Sequence, residues 1–281
     1  MALKLFDAHI YADGRAEADF ANLAWFGVTH ALVCAHAPRA FATARDLWQY
    51  FEALIAAEPE RLGRFGIQAR IAIGVHPGAV PSRAHYELWR ELPFLLTLPE
   101  VAALGELSVE AEASGKALER QWELVERQAR ILAEAEVGLP LVFSLPRLTD
   151  TRGRVACVER LAAVAGGCGL SPSDVLVQHV DWLTIDAVEA HGFFSGLSVH
   201  PLFLGVEEAV RAILHHDRRR IVVGSALRQV PGDVLALPKL AVALAEAGVP
   251  SHEVERVIFG NAMGLFVRKS ALAAGSTRGA P

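Results

Sequence analysis

Apolar and polar positions along the chain fall into two alternating regimes, short runs of aliphatic residues and longer stretches with apolar residues at helical spacing. The first run, Leu3-Lys4-Leu5-Phe6-Asp7-Ala8-His9-Ile10-Tyr11, ends in acid and imidazole and reads as a buried strand that emerges at a polar mouth. Phe20, Leu23 and Ala24 predict a helix over 17–27 that stops at Gly27, and 28–34 is a second strand. A helix over 42–58 is expected to end before Pro59. The third strand, 67–77, delivers His76 at its exit before Pro77, and a helix follows over 85–96. Strand 101–106 ends on Glu106. The longest helix, 116–136, interleaves charges among Leu118, Trp122, Val125, Ala129 and Leu132. Strand 139–144 runs out to Pro146-Arg147, and a helix over 154–165 is closed by Gly166-Gly167. Strand 174–179 ends on His179, a short helix covers 184–190, and strand 193–199 leads to His200-Pro201. Helix 206–216, strand 220–225 and helices 237–247 and 252–259 complete the pattern.

Eight strands alternating with helices argue for parallel pairing through right-handed crossovers. The expected fold is a closed (β/α)8 TIM barrel in a single domain over 1–269, with a loose tail at 270–281. An open doubly wound sheet also alternates, but its first strand is normally followed by a Gly-rich ligand loop, and Tyr11-Ala12-Asp13-Gly14-Arg15 is not one. In a parallel barrel the strand exits share one face, so His9, His76, Glu106, His179 and His200 converge on one cleft. Each alone fits a hydrogen-bonded strand cap. Together they offer the nitrogen and carboxylate donors from separate strands that a hydrolytic metal site requires.

Composition narrows the picture. With 52% hydrophobic residues the chain buries a large core, and a net charge of -5 gives no sign of the basic surface that nucleic-acid binding uses. Three cysteines, Cys34, Cys157 and Cys168, lack zinc-type spacing and read as reduced thiols; Cys34 leaves the second strand toward the mouth. No leader pattern and no membrane-length apolar run is present, so a soluble cytoplasmic protein is expected.

Five segments in order, Phe6-Asp7-Ala8-His9, Ile73-Gly74-Val75-His76-Pro77, Leu104-Gly105-Glu106-Leu107, Val177-Gln178-His179 and Gly260-Asn261-Ala262-Met263-Gly264-Leu265-Phe266, resemble the motifs of TatD-related metal-dependent hydrolases of the amidohydrolase superfamily. The resemblance covers almost the whole chain. Gly196-Leu197-Ser198-Val199-His200-Pro201 and Asp233-Val234-Leu235-Ala236-Leu237-Pro238-Lys239 are similar to segments of its EboB-like branch. It implies a one- or two-metal barrel with water as nucleophile and phosphoester- or amide-type substrates. It also implies departures: Tyr11 stands where the family has a second histidine, Ser144 where the fifth strand ends in histidine, and Gly224-Ser225-Ala226-Leu227-Arg228 lacks the eighth-strand acid, with Arg228 near its place.

The retained family ligands are His9, Glu106 and His179, enough for one divalent ion, zinc or manganese, with the general base supplied by Glu106 or by the metal hydroxide itself. His76, Arg147, His200, Arg228 and Tyr11 are candidates for binding substrate or an anion, and Arg228 has two readings, paired with Glu106 or a ligand, or turned to solvent. The expected function is a TatD-like hydrolase of a small-molecule substrate. The alternative is a degenerate barrel without metal that binds an anionic small molecule or a partner protein. The family leaves nucleic acid open as a partner, and a homo-oligomer is compatible with the sequence.

Overall fold

A computed structural model describes residues 3–35, 41–81, 85–147, 150–228 and 232–267; the expected tail at 270–281 lies outside them. Eight parallel strands join in chain order into one sheet that curls into a barrel. They are β1 (Leu5–Ile10), β2 (Val28–Cys34), β3 (Gln68–Ile73), β4 (Val101–Leu107), β5 (Leu141–Ser144), β6 (Val175–Gln178), β7 (Phe194–Ser198) and β8 (Ile221–Gly224). Helices α1 (Glu17–Trp25), α2 (Ala44–Gly63), α3 (His85–Leu95), α4 (Gly115–Ala135), α5 (Thr151–Gly167), α6 (Ile185–Ala190), α7 (Val206–His215) and α8 (Ala236–Glu246) intervene or follow. The chain is a (β/α)8 TIM barrel. Register sets the strand ends level, with Ser144 opposite Gln178 and Ser198 opposite Gly224, so the exits form one rim.

The period-2 alternation of side chains divides the core into two layers. Ala31, Val33, Ile71 and Ile73 face the helices, whereas Leu32, Cys34 and Ala72 face the barrel axis beside Phe6, Ala8, Val142, Leu176 and Val222. The far end of the interior is plugged by α10 (Asn261–Phe266), whose Phe266 ring lies 5.9 Å from that of Phe6. Asn261 fixes this plug by donating to the carbonyls of Arg218 and Ile221, both at 2.7 Å. A buried Gln128 on α4 clamps the segment after β3: its Oε1 accepts from Val75 N–H at 2.7 Å and its Nε2 donates to Val75 O at 3.0 Å. This holds the stretch that leads to His76.

The seam between β1 and β8 is closed by a side chain as much as by a ladder. Among the described residues only Ile10 and Leu227 form a bridge there, with Tyr11 N–H donating to Leu227 O at 2.8 Å. Above it Asp7 accepts from the Ser225 N–H at 2.8 Å, from the Ser225 hydroxyl at 2.5 Å and from His9 N–H at 3.2 Å. Burial outweighs these bonds and raises the Asp7 carboxyl to about 6. A raised acid contributes stability that is complete below its unfolded value and is lost as pH rises through the folded one. Unfolding titrations should therefore show a stability loss between about pH 4 and pH 6 that Asp7→Asn flattens. An unchanged slope in the variant would refute that assignment.

Several helix limits differ from the sequence expectation. α2 continues through Pro59 to Gly63, because Leu62 is buried and Arg61 bonds Glu58 at 2.6 Å and Arg15 O at 2.8 Å, contacts that offset the hydrogen bond Pro59 cannot make. α5 begins at Thr151, where Asp150 caps the N–H groups of Arg152 and Gly153, and it takes in Gly166 and Gly167 instead of ending at residue 165. The expected helix over 252–259 is α9 (Ser251–Glu255) followed by a π turn (Arg256–Gly260) that leads directly into α10.

Candidate active site

Three elements deliver the central cluster: β1 brings His9, β4 brings Glu106, and the residue after β6 is His179. Gly74 lets β3 approach β4 closely and Gly105 lets β4 approach β5, since a Cβ on Gly74 would lie 2.9 Å from Gly105 Cα and one on Gly105 would lie 2.7 Å from Val142 O. His179 has φ of 60°, a left-handed conformation that costs a side-chain-bearing residue about 1–2 kcal/mol. Its surroundings impose it. Arg154 donates to His179 O at 2.5 Å, the Ser198 hydroxyl meets His179 Nδ1 at 2.8 Å, and the Phe203 ring stacks on the imidazole at 3.8 Å and 5°.

The resulting geometry is tight. His9 Nε2 is 3.2 Å from Glu106 Oε2, His179 Nε2 is 3.8 Å from Glu106 Oε1, and one ligand atom from each of the three lies within 4.8 Å of the others. Burial pushes the Glu106 carboxyl up, but the neighbouring His9, by charge and hydrogen bond, outweighs it and holds the group well below the usual carboxylate range. Burial first, then the neighbouring His9, holds His179 well below its ordinary value. The cluster thus presents an anionic carboxylate and a neutral imidazole, the protonation states that metal ligands need. With Nδ1 engaged by Ser198, His179 turns Nε2 toward a carboxylate oxygen too distant for a hydrogen bond. Ligand atoms on one tetrahedral zinc lie roughly 3.3 Å apart, so a gap of this size suits a small divalent ion.

Tyr11 belongs to this cluster. Its Oη donates to Glu106 Oε2 and lies 2.9 Å from His9 Nε2, with the ring edge-on to His9. Burial, then the Glu106 charge, pushes the phenol well above its usual value, so it remains a donor. Cys34 lies in the interior beneath the mouth, and burial likewise pushes its thiol well above the usual range, away from nucleophilic chemistry.

The other expected site residues are spread around the rim. Arg228 follows β8 half-buried, close enough for its charge to act on Tyr11 and His179, but among the described residues it pairs with no carboxylate; Glu106 is met by Tyr11 and the imidazoles instead. Ser225 rather than Arg228 occupies the end of β8 against β1. His76 is half-buried and accepts from Gly78 N–H at 3.1 Å, and His200 is buried and accepts from Leu202 N–H at 3.1 Å. Neither joins the three-residue cluster. Arg147 is exposed, 5.9 Å over the Phe203 ring, and lines a cavity of about 200 Å³ together with Arg154, His179 and Phe203. Sequence reasoning assigned no role to Arg154, Ser198 or Phe203. Only Ser198 carried a signal, two residues before His200 and so on the same side of its strand.

No family model matches the chain. An uncharacterized metal-dependent hydrolase of Methanocaldococcus jannaschii is 24% identical over 267 residues, covering 93% of this chain and 99% of that protein. Among solved structures, a TatD-like protein from Archaeoglobus fulgidus superposes with a TM-score of 0.71 at 22% identity, covering 92% of this chain and 98% of that one. The chain shares the barrel fold of TatD-like proteins. A TatD family hydrolase from Entamoeba histolytica gives 0.69 at 14% identity, with 95% and 99% covered. Such likeness at low identity carries the fold, and the chemistry of the site follows from its own residues. Among the described residues no helix is long and apolar enough to cross a membrane.

Proposed function

We propose that this TatD-related barrel is a metal-dependent hydrolase in which His9, Glu106 and His179 hold one divalent ion, zinc or manganese. The observation that carries the reading is the convergence of these three buried groups from β1, β4 and β6, with His179 fixed in a left-handed backbone conformation to reach the others. Once bound, such an ion lowers the pKa of water and polarises the electrophile. The chain's own groups do the rest. Ser198 and Phe203 orient His179, Tyr11 keeps its proton at Oη and holds Glu106 Oε2, and the other Glu106 oxygen, facing His179 Nε2 at 3.8 Å without a hydrogen bond, is the one left to take a proton. Arg147, exposed beside the mouth, draws an anionic phosphoester or polarised amide of a small-molecule substrate. The free cysteines support a reducing, cytoplasmic setting.

Protein purified without chelator should carry one zinc or manganese per chain by elemental analysis and hydrolyse phosphodiester or amide model substrates, with chelator abolishing turnover. A metal-free chain that binds inorganic phosphate through Arg228 or Arg147 would replace this reading with the degenerate barrel. Ser198→Ala removes only the partner of His179 Nδ1 and should lower metal affinity about 10- to 100-fold, read by competition with a chromogenic chelator. Unaltered affinity would show that Ser198 does not orient the ligand.

A further inference from the structure

A groove leads from the His179 imidazole over the rim of the barrel. Its inner part is the cavity of about 200 Å³ beside His179, and a second cavity of about 510 Å³ lies against it, sharing Asp181, Phe203 and Leu204. Phe203 floors the junction with one face against His179. Beyond it the groove runs between the loop after β6, which carries Trp182 and Leu183, and α7, which contributes Glu208 and Arg211. Trp182 and Leu183 are 49% and 60% exposed. Single exposed hydrophobic residues are ordinary on a protein surface. Two in succession, lining one concavity with Phe203 and Leu204 and continuous with the candidate active site, form an apolar subsite. Trp182 is also steadied from behind, with edge-on contacts to His215 at 5.4 Å and His216 at 5.6 Å, so little ordering remains to oppose binding.

Charge tells the two ends of the groove apart. At the inner end Arg154 is neutralised by Asp181, while Arg147 has no carboxylate partner among the described residues. That end therefore carries one uncompensated cation. Farther out Glu208 and Arg211 balance each other, and Glu208 is already occupied in accepting from Gly205 N–H at 2.9 Å. The complementary ligand is anionic where it meets the mouth and apolar beyond.

We propose that the substrate joins an anionic head, held between Arg147 and the His9, Glu106 and His179 cluster, to an aromatic or similarly bulky apolar tail that lies on Phe203 against Trp182 and Leu183. The proposal rests on the hydrolase reading of the mouth. It adds the substrate class, and a binding experiment separates the two.

Calorimetric titration of the full chain with 1-naphthyl phosphate and with inorganic phosphate, zinc-loaded and after chelator treatment, reads the tail directly. The naphthyl ester should bind at least about tenfold more tightly than inorganic phosphate in both states, because the tail's contacts do not involve the ion. Trp182→Ala and Leu183→Asp should each erase most of that preference and leave phosphate affinity unchanged, whereas Arg147→Ala should weaken both ligands. Equal affinity of the wild-type protein for the two ligands overturns the proposal whether or not any variant folds. So does a preference that survives in both Trp182→Ala and Leu183→Asp when their melting temperatures match wild type. A chain that retains no metal and turns over nothing, yet prefers the naphthyl ester, would sink the hydrolase reading and leave the apolar subsite supported.

Discussion

Glu106→Gln should abolish retention of the metal ion and reduce hydrolysis on the order of 10³-fold, while the fold survives. The carboxylate is the only anion in the three-residue cluster, and both of its oxygens are committed, one to Tyr11 and His9 and the other facing His179. A neutral amide keeps the shape and removes the charge that offsets a dication in a buried site. It also replaces one acceptor oxygen by an N–H donor, on the side of Tyr11 or of His179, the reverse of what ligation needs there. Metal content by elemental analysis and turnover of a phosphodiester should fall together. Tyr11→Phe makes the contrast, since it removes a hydrogen bond to Glu106 and leaves all three donors in place; its metal content should stay near that of the wild type. A Glu106→Gln protein that keeps both metal and turnover would show that the ion, if bound, sits elsewhere.

Gly224→Ala, a single added methyl group at the barrel seam, should cost about 3 kcal/mol of stability and disturb the metal site as well. A Cβ there would stand 2.7 Å from His9 Cβ and 2.8 Å from His9 N, and backbone atoms cannot swing aside as the end of a side chain does. Relief requires β1 and β8 to part, which stretches the Asp7 to Ser225 bonds and moves the His9 imidazole away from Glu106. Denaturant unfolding measures the first effect and zinc competition the second. Gly63→Ala is the control, because a Cβ at that helical position meets nothing within 4 Å. If Gly224→Ala proves as stable as wild type and binds metal equally, the seam is not what positions His9.

The order of eight apolar runs and their separation by helical patterns were legible in the chain, because a parallel barrel needs only local periodicity repeated eight times. The same regularity let His9, Glu106 and His179 be placed on one face from position alone, since strand exits in such a barrel have one direction. Helix limits were less legible where tertiary contacts override local signals. Pro59 reads as a stop, yet buried Leu62 and the bonds of Arg61 carry α2 past it.

What only the tertiary structure decided are distances between residues remote in sequence. Sequence offered Tyr11 as a candidate for binding substrate or an anion, and its position against Glu106, 95 residues away, makes it a donor within the cluster. Arg228 was read as a candidate partner of Glu106, but that place is filled by Tyr11 and the imidazoles, and Ser225 takes the end of β8. His179 was legible as a strand-end histidine and candidate ligand, but its left-handed backbone and the Ser198, Arg154 and Phe203 contacts that hold it, from β7, α5 and the loop after β7, were not. Phe203, Trp182 and Leu183 read along the chain as unremarked loop residues, and they become a groove only when the loops after β6 and β7 lie side by side. Sequence periodicity determines which way a side chain points from its own strand or helix, because backbone geometry alone sets it. Which remote side chain it meets there is decided by packing of the whole barrel, where displacements of an ångström make or break a hydrogen bond.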